Sequence, residues 1–151
     1  MSTMERLNVE SVRRMRHRQL VDRLDYLRGL RTLAVSMTQT ELAKGLGIAQ
    51  PSVSSALKSA AKVLDVRPGF SGATPYEIAQ RYAAEELTRD EVIDELARWE
   101  FAPMPQTDGY DWLTDGTDVG TWVEVENALH DGLLDGETYD AILDRQDKLA
   151  R

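Results

Sequence analysis

The chain has 151 residues, enough for one medium-sized domain or two small ones. It contains no cysteine, which excludes disulfides and thiolate metal sites. No apolar run approaches the roughly 18 residues that span a membrane, and none follows the arginine-rich start in the way a signal peptide requires. We therefore expect a soluble, cytoplasmic protein with no membrane partner.

The net charge of −8 conceals a strong asymmetry along the chain. Residues 1–65 hold eleven Lys and Arg against six Asp and Glu, a balance of +5. Residues 66–151 hold seven against twenty, a balance of −13, and a short Pro/Gly/Ser segment at 66–72 separates the two parts. A basic front and an acidic back indicate two domains with different roles, 1–65 and 66–151.

Residues 1–12 show no strong periodicity, which allows a disordered start. The first predicted helix then runs from Arg18 to Met37. Two roles stay open for the apolar face of the predicted helix: packing on the helices that follow, or joining two subunits. Apolar residues recur on that face at steps of three and four, namely Leu20, Leu24, Leu27, Leu30, Leu33, Ala34 and Met37.

Thr38 and Glu41 have the spacing of a capping box, which predicts a short helix from Gln39 to about Leu46. Gly47 allows the left-handed turn that ends such a helix. A second helix is predicted from Gln50-Pro51 toward Val63, since proline is tolerated in a first helical turn.

The acidic part also has helical patterns and no convincing strand alternation, so the predicted fold class is all-α. Capping boxes at 74–77 and 88–91 predict helices ending near Glu86 and Trp99, and further helices are predicted from Thr121 to Asp131 and from Gly136 to Ala150. The predicted core is Tyr76, Ile78, Tyr82, Leu87, Val92, Ile93, Leu96 and Trp99, continued by Trp122, Val125, Leu129, Leu133, Tyr139, Ile142, Leu143 and Leu149.

A weak internal repeat relates the segments from Leu87 and Leu133 at an offset of 46 residues. Either a duplication or similar packing needs of two helical hairpins would produce it.

The segment 39–58, QTELAKGLGIAQPSVSSALK, resembles the helix-turn-helix of bacterial and phage repressors of the Xre/Cro type. Ala43 is small where the second helix approaches, and Gly47 lies at the turn. Ala49 departs from the usual Ser or Thr cap, and Ala56 is smaller than the usual branched residue. Apolar residues occupy the positions where the two helices must pack, namely Leu42, Leu46, Ile48, Val53 and Ala56.

The resemblance implies that the second helix lies in the major groove of double-stranded DNA. Gln39 would then contact a phosphate or brace Gln50, and Lys58 and Lys62 would contact the DNA backbone. A merely solvated polar face is the alternative. The residues implied to face bases or phosphates are Gln50, Ser52, Ser54 and Ser55. A second candidate phosphate-binding element, otherwise a solvated or disordered start, is Arg13, Arg14, Arg16 and Arg18.

The acidic part is too apolar for a simple disordered tail, and its charge would repel DNA. It is expected to dimerise or sense a ligand, or alternatively to capture another protein such as a basic toxin. A DNA-binding domain followed by an acidic domain is similar to the arrangement of antitoxins that repress their own operon. The similarity is one of architecture alone and not of sequence.

No pattern predicts catalysis, a cofactor or a metal site. His17 and His130 are the only histidines, and neither has a nucleophile nearby in sequence. The carboxylates of the segment 107–118 lack the spacing of a calcium-binding EF-hand loop and are better explained by Asp-Gly turns.

The sequence therefore predicts a non-enzymatic, sequence-specific DNA-binding transcriptional regulator, expected to act as a homodimeric repressor. One alternative is an antitoxin that neutralises a protein toxin through residues 66–151 and represses its own operon. A protein-binding adaptor on a helix-turn-helix scaffold without DNA affinity is a further alternative.

Overall fold

The structure is a computed structural model and describes residues 7–103 and 120–150. No strand lies within these ranges, which agrees with the predicted all-α class. No helix in them is both long enough and apolar enough to cross a membrane. The turn-rich segment predicted at 107–118 lies outside the described residues. The helices are α1 (Val9–Leu33), α2 (Gln39–Leu46), α3 (Gln50–Ala60), α4 (Pro75–Ala83), α5 (Arg89–Arg98), α6 (Val123–His130) and α7 (Gly136–Leu149).

Helix α1 begins well before the predicted start at Arg18. The Ser11 backbone N–H donates to Asn8 Oδ1 at 2.8 Å, and the Asn8 N–H donates to Ser11 Oγ at 3.0 Å. This reciprocal cap satisfies N–H groups that a helix start leaves without partners. The disordered start that the sequence allowed for 1–12 is thus corrected for residues 9–12, whereas residues 1–6 lie outside the described part.

The chain divides into two compact units. The small unit is Gln19–Asp65, and the acidic unit combines Met1–Arg18 with Val66–Arg151. The predicted first domain, 1–65, is therefore shared between the two units, because the first turns of α1 group with the acidic part of the chain.

The core of the small unit is formed by α1, α2 and α3. Only part of the apolar face predicted for α1 is buried in it: Leu20 and Leu33 remain exposed, and Leu24 is half-buried. A unit of this size has too few neighbouring helices to cover a long helix along its whole length. The buried side chains are Leu27, Leu30, Leu42, Ala43, Val53, Ala56 and Ala60.

Two arginines of α1 bind the chain at the C-terminal end of α3. Arg31 Nη1 donates to the carbonyl oxygens of Ala60 at 2.6 Å and Val63 at 2.5 Å. Arg28 Nε and Nη2 donate to the carbonyl oxygen of Leu64 at 3.0 and 2.9 Å. These contacts satisfy carbonyls at and beyond the helix end, so both arginines have a structural role in the small unit.

The acidic unit is built from two helical hairpins, α4–α5 and α6–α7. Helix α5 packs along α7, and α4 packs against α6. Leu143 and Leu149, which the sequence placed in the core, are exposed on α7. The buried core is Ile78, Ala79, Val92, Ile93, Leu96, Ala97, Trp99, Val125, Ala128, Leu133, Leu134 and Ile142.

The turns of the two hairpins are alike, at an offset of 47 residues rather than the 46 seen in the sequence. The Glu86 N–H donates to the Arg81 carbonyl at 2.9 Å, and the Leu133 N–H donates to the Ala128 carbonyl at 2.9 Å. In each turn one residue has a positive φ: Glu85 at 64° and Gly132 at 78°. The repeated hairpin is therefore a feature of the backbone as well as of the sequence.

A buried ion-pair network lies within the first hairpin. Arg81 Nη2 contacts Glu77 Oε2 at 2.9 Å, and both side chains are almost fully buried, with exposed fractions of 7% and 6%. Arg81 Nη1 contacts Glu86 Oε2 at 2.7 Å. Buried charges of this kind are tolerated because each has an opposite charge beside it.

Replacing Asp135 by alanine should lower the free energy of unfolding of the acidic unit by about 1 kcal/mol at neutral pH. Asp135 Oδ1 caps α7 by accepting the Thr138 N–H at 2.7 Å, and hydrogen bonds from Thr138 hold the pKa of Asp135 below its ordinary value. The carboxylate therefore stabilises the fold above its ordinary pKa, and this stabilisation is lost as the pH falls through the lowered value. Urea unfolding at several pH values measures the difference.

Asp144→Ala, at an exposed position within α7, is the matched control and should change stability little. An equal loss in both variants, or a loss at Asp135 that persists undiminished in acid, would contradict the capping role.

Candidate nucleic-acid interface

Helices α2 and α3 are joined by a tight turn around Gly47. Thr38 caps α2 by accepting the Glu41 N–H at 3.1 Å, whereas the Glu41 carboxylate accepts from the Thr38 hydroxyl and not from its backbone. Gly47 has φ 70° and ψ 31°, a conformation that favours glycine. The Ile48 N–H then returns to the Ala43 carbonyl at 3.0 Å, which closes the helix end.

Helix α3 begins without a side-chain cap. Ala49 occupies the cap position and offers no acceptor, and Pro51 lies in the first turn. The Ser52 N–H instead bonds to the Ala49 carbonyl at 3.0 Å. The expected departure at Ala49 therefore leaves α3 dependent on packing for its stability.

The contact between the two helices is made by fewer residues than the sequence predicted. Leu42 and Val53 are fully buried, and Ala56 is nearly so. Leu46 and Ile48, predicted to pack with them, are exposed by 45% and 38%. Helix α2 has only two turns. Leu46 at its end and Ile48 in the following loop lie beyond the surface that the other helices cover.

The predicted contact residues of the small unit lie largely on its surface. Six of them are exposed, whereas Ser54 is half-buried beside the core residue Val53. The exposed residues are Gln39, Gln50, Ser52, Ser55, Lys58 and Lys62.

A groove of about 440 Å³ lies beside α3 within the small unit. Arg23 and Tyr26 of α1 line one side, and Pro51, Ser52 and Ser55 of α3 line the other. The Arg23 guanidinium carbon lies 6.0 Å from the Tyr26 ring centroid. Arg23 and Tyr26 were not among the predicted contact residues, although their three-residue spacing on the polar side of α1 indicates a shared face.

The charge of the small unit is only weakly positive. Residues 19–65 hold six Lys and Arg against four Asp and Glu, a balance of +2. Arg28 and Arg31 are among the six and contact carbonyl oxygens of the unit itself. Lys58 and Lys62 near the end of α3, and Arg23 beside its start, remain as exposed cations on this part of the surface.

The arginines of the predicted second element belong to the acidic unit. Arg13 Nη2 donates to the Asp131 carbonyl at 3.0 Å, and Arg14 Nη1 lies 3.4 Å from Glu85 Oε1. Arg16 and Arg18 are exposed on α1. Arg13 and Arg14 thus have partners at the ends of α6 and α4, which sequence spacing could not reveal.

Comparison of the chain with family models, with curated proteins and with solved structures finds no match.

Proposed function

We propose that the chain is a sequence-specific DNA-binding transcriptional regulator that acts as a homodimeric repressor and reads double-stranded DNA with α3. The observation that carries the proposal is the α2–α3 pair: Leu42 and Val53 form its buried contact, while polar side chains face outward from α3. An exposed helix with one polar face suits the width of the major groove.

The exposed residues of α3 supply two kinds of contact. The Gln50 amide at the start of the helix can make a bidentate hydrogen bond to adenine. Lys58, about two turns further on, and Lys62, just beyond the end of α3, suit phosphates of the backbone. Arg23, across the groove from Ser52 and Ser55, adds a cation from α1.

A dimer follows from the small size of one such reading surface. A single helix in one major groove reads few base pairs, and two copies double both contacts and specificity. The exposed leucines of α1, Leu20 and Leu33, are apolar surface that pairing of two subunits would cover.

Selection of bound sequences from a random duplex pool at roughly physiological salt tests the proposal directly. Enrichment of a palindrome whose half-sites lie about one helical turn apart is the expected result. Absence of any enriched sequence would overturn the proposal and favour the protein-binding adaptor.

Gln50→Ala should relax base preference at one position of the selected site by about 1–3 kcal/mol. Lys58→Ala should weaken binding to all sequences alike and reduce the slope of log affinity against log salt by about 1. Fluorescence anisotropy with the selected duplex and single-base variants, at several salt concentrations, measures both effects.

Lys148→Ala is the matched control, because this lysine is exposed on α7 of the acidic unit. It should leave affinity and salt dependence unchanged. Loss of binding in the control as large as that of Lys58→Ala would show that general charge, and not the surface of α3, attracts the DNA.

The charge of residues 66–151, a balance of −13, favours a second candidate function, capture of a basic protein by the acidic unit. An antitoxin of this design would combine that capture with repression of its own operon. Co-purification with a basic protein encoded beside it, in a salt-sensitive complex, is the result expected of this alternative.

A further inference from the structure

The acidic unit contains a cavity of about 430 Å³ between the start of α1 and the turns that end α4 and α6. Ser11, Arg13, Arg14 and His17 line it from α1, and Glu85 and Gly132 line it from the two turns. Its volume falls within the range of about 300–1,000 Å³ typical of small-molecule sites.

His17 is a buried polar residue of this cavity, and it differs from the buried Ser11 in having no hydrogen-bond partner. Its exposed fraction is 8%, and neither Nδ1 nor Nε2 has a hydrogen-bond partner. Burial, then the charges of Arg13 and Arg16, lower the pKa of His17 below 6.5, so the imidazole is neutral at pH 7. A neutral imidazole has one N–H to donate and one lone pair to accept, and leaving both unused inside a protein is costly.

Two guanidinium groups lie beside the imidazole. Arg13 is held at the Gly132 turn by its bond to the Asp131 carbonyl, and a side chain at Gly132 would collide with its guanidinium. The Arg14 side chain is only 19% exposed, whereas that of its partner Glu85 is 68% exposed. The Arg14 guanidinium therefore lies toward the interior of the cavity. Arg13 is exposed at its edge, as are the two lining carboxylates, Glu10 and Glu85.

We infer that this cavity binds a small anion through a carboxylate or phosphate group. The guanidinium groups of Arg13 and Arg14 would pair with the anion, and His17 would donate its N–H to it. The bound anion would compete with Glu85 for Arg14, since their present contact of 3.4 Å is long for a charge-assisted hydrogen bond.

Nitrogen-15 NMR of the full chain tests the inference, with citrate and inorganic phosphate as separate probes at constant ionic strength. The protein has two histidines, and His130 is exposed on α6, so it serves as an internal reference. A saturable shift of the His17 ring nitrogens, with those of His130 unmoved, is expected for at least one probe. Which probe binds more tightly distinguishes a carboxylate site from a phosphate site.

Variants tested by calorimetry give the second readout. Arg14→Gln and His17→Gln should each weaken the affinity for the bound probe by about tenfold or more, the loss of one charge-assisted hydrogen bond. Arg145→Gln, a change of the same kind on α7 outside the cavity, should leave it unchanged. If a variant fails to fold, the spectra of the unaltered chain decide. No saturable His17 shift with either probe, or equal weakening by Arg145→Gln, would overturn the inference.

Discussion

Arg81→Met is expected to lower the free energy of unfolding of the acidic unit by about 3–5 kcal/mol. The substitution leaves the Glu77 carboxylate buried without the guanidinium that now contacts it through Nε at 3.0 Å and Nη2 at 2.9 Å. Glu77 keeps the N–H of Ala73 as a donor, at 3.1 Å, but a neutral hydrogen bond does not offset the desolvation of a carboxylate. Chemical denaturation followed by tryptophan fluorescence measures the loss.

Two variants give this prediction its controls. Arg98→Met removes an exposed pair with Asp94 that has the same four-residue spacing, together with a hydrogen bond to the Gly69 carbonyl and a contact with the Phe70 ring. It should cost about 1–2 kcal/mol, well below the loss at Arg81, because all of these contacts are exposed to solvent. Adding Glu77→Gln to Arg81→Met removes the stranded charge and should restore much of the stability. If Arg81→Met and Arg98→Met cost the same, the Glu77–Arg81 pair is not desolvated in the way that the structure indicates.

Leu42→Ala is expected to destabilise the small unit by about 2–5 kcal/mol, the usual cost of a buried cavity. Leu42 is fully buried in the only core that α1, α2 and α3 share. Stability of about 0.05–0.15 kcal/mol per residue leaves a unit of this size little margin. Sequence-specific DNA binding, if α3 provides it, should be lost together with the fold, which circular dichroism and the duplex assay measure in parallel.

Leu46→Ala is the matched control, because Leu46 lies one turn further along α2 but is 45% exposed. Its cost should be well below that of Leu42→Ala, since most of the side chain already contacts solvent. Equal costs at the two positions would instead support the packing that the sequence pattern predicted for both leucines.

The elements that local sequence signals specify were predictable. Thr38, Thr88 and Gly47 mark the ends of α2 and the start of α5 in the sequence as in the structure. Each works through hydrogen bonds to residues three or four positions away, so a short window contains all the information. The Asn8–Ser11 cap is equally local, and it escaped notice because apolar periodicity begins only later in α1.

The features that distant contacts determine were not predictable. Arg28 and Arg31 contact carbonyls that lie some thirty residues further along the chain. Arg13 contacts the carbonyl of Asp131, which is 118 residues away in the sequence. Periodicity also assigned too much to the core, because it shows which face of a helix is apolar but not how much of that face a neighbour covers. Leu46 and Leu149 are both exposed for this reason.

The cavity at His17 was not predictable either, because it also depends on contacts between distant parts of the chain. Its lining comes from three places in the chain, and the sequence gives no sign that a lone histidine among arginines faces inward. The exposed side of α3, by contrast, was largely predictable, because a short helix after a glycine turn fixes which residues share its outer face. Ser54 is the exception, since it is half-buried.

The corresponding turns of the two hairpins differ in a complementary way. Glu85 adopts the strained left-handed conformation although it carries a side chain, and it uses that side chain to reach Arg14. Gly132, its counterpart, has no side chain, and the vacant volume is filled by the guanidinium of Arg13. Two consecutive arginines thus make the two turns different: Arg14 contacts the Glu85 carboxylate, and Arg13 fills the volume beside Gly132. Exchanging the two turn residues would place a side chain where the Arg13 guanidinium now lies, and it would remove the Glu85 carboxylate that Arg14 contacts. Neither turn can therefore substitute for the other.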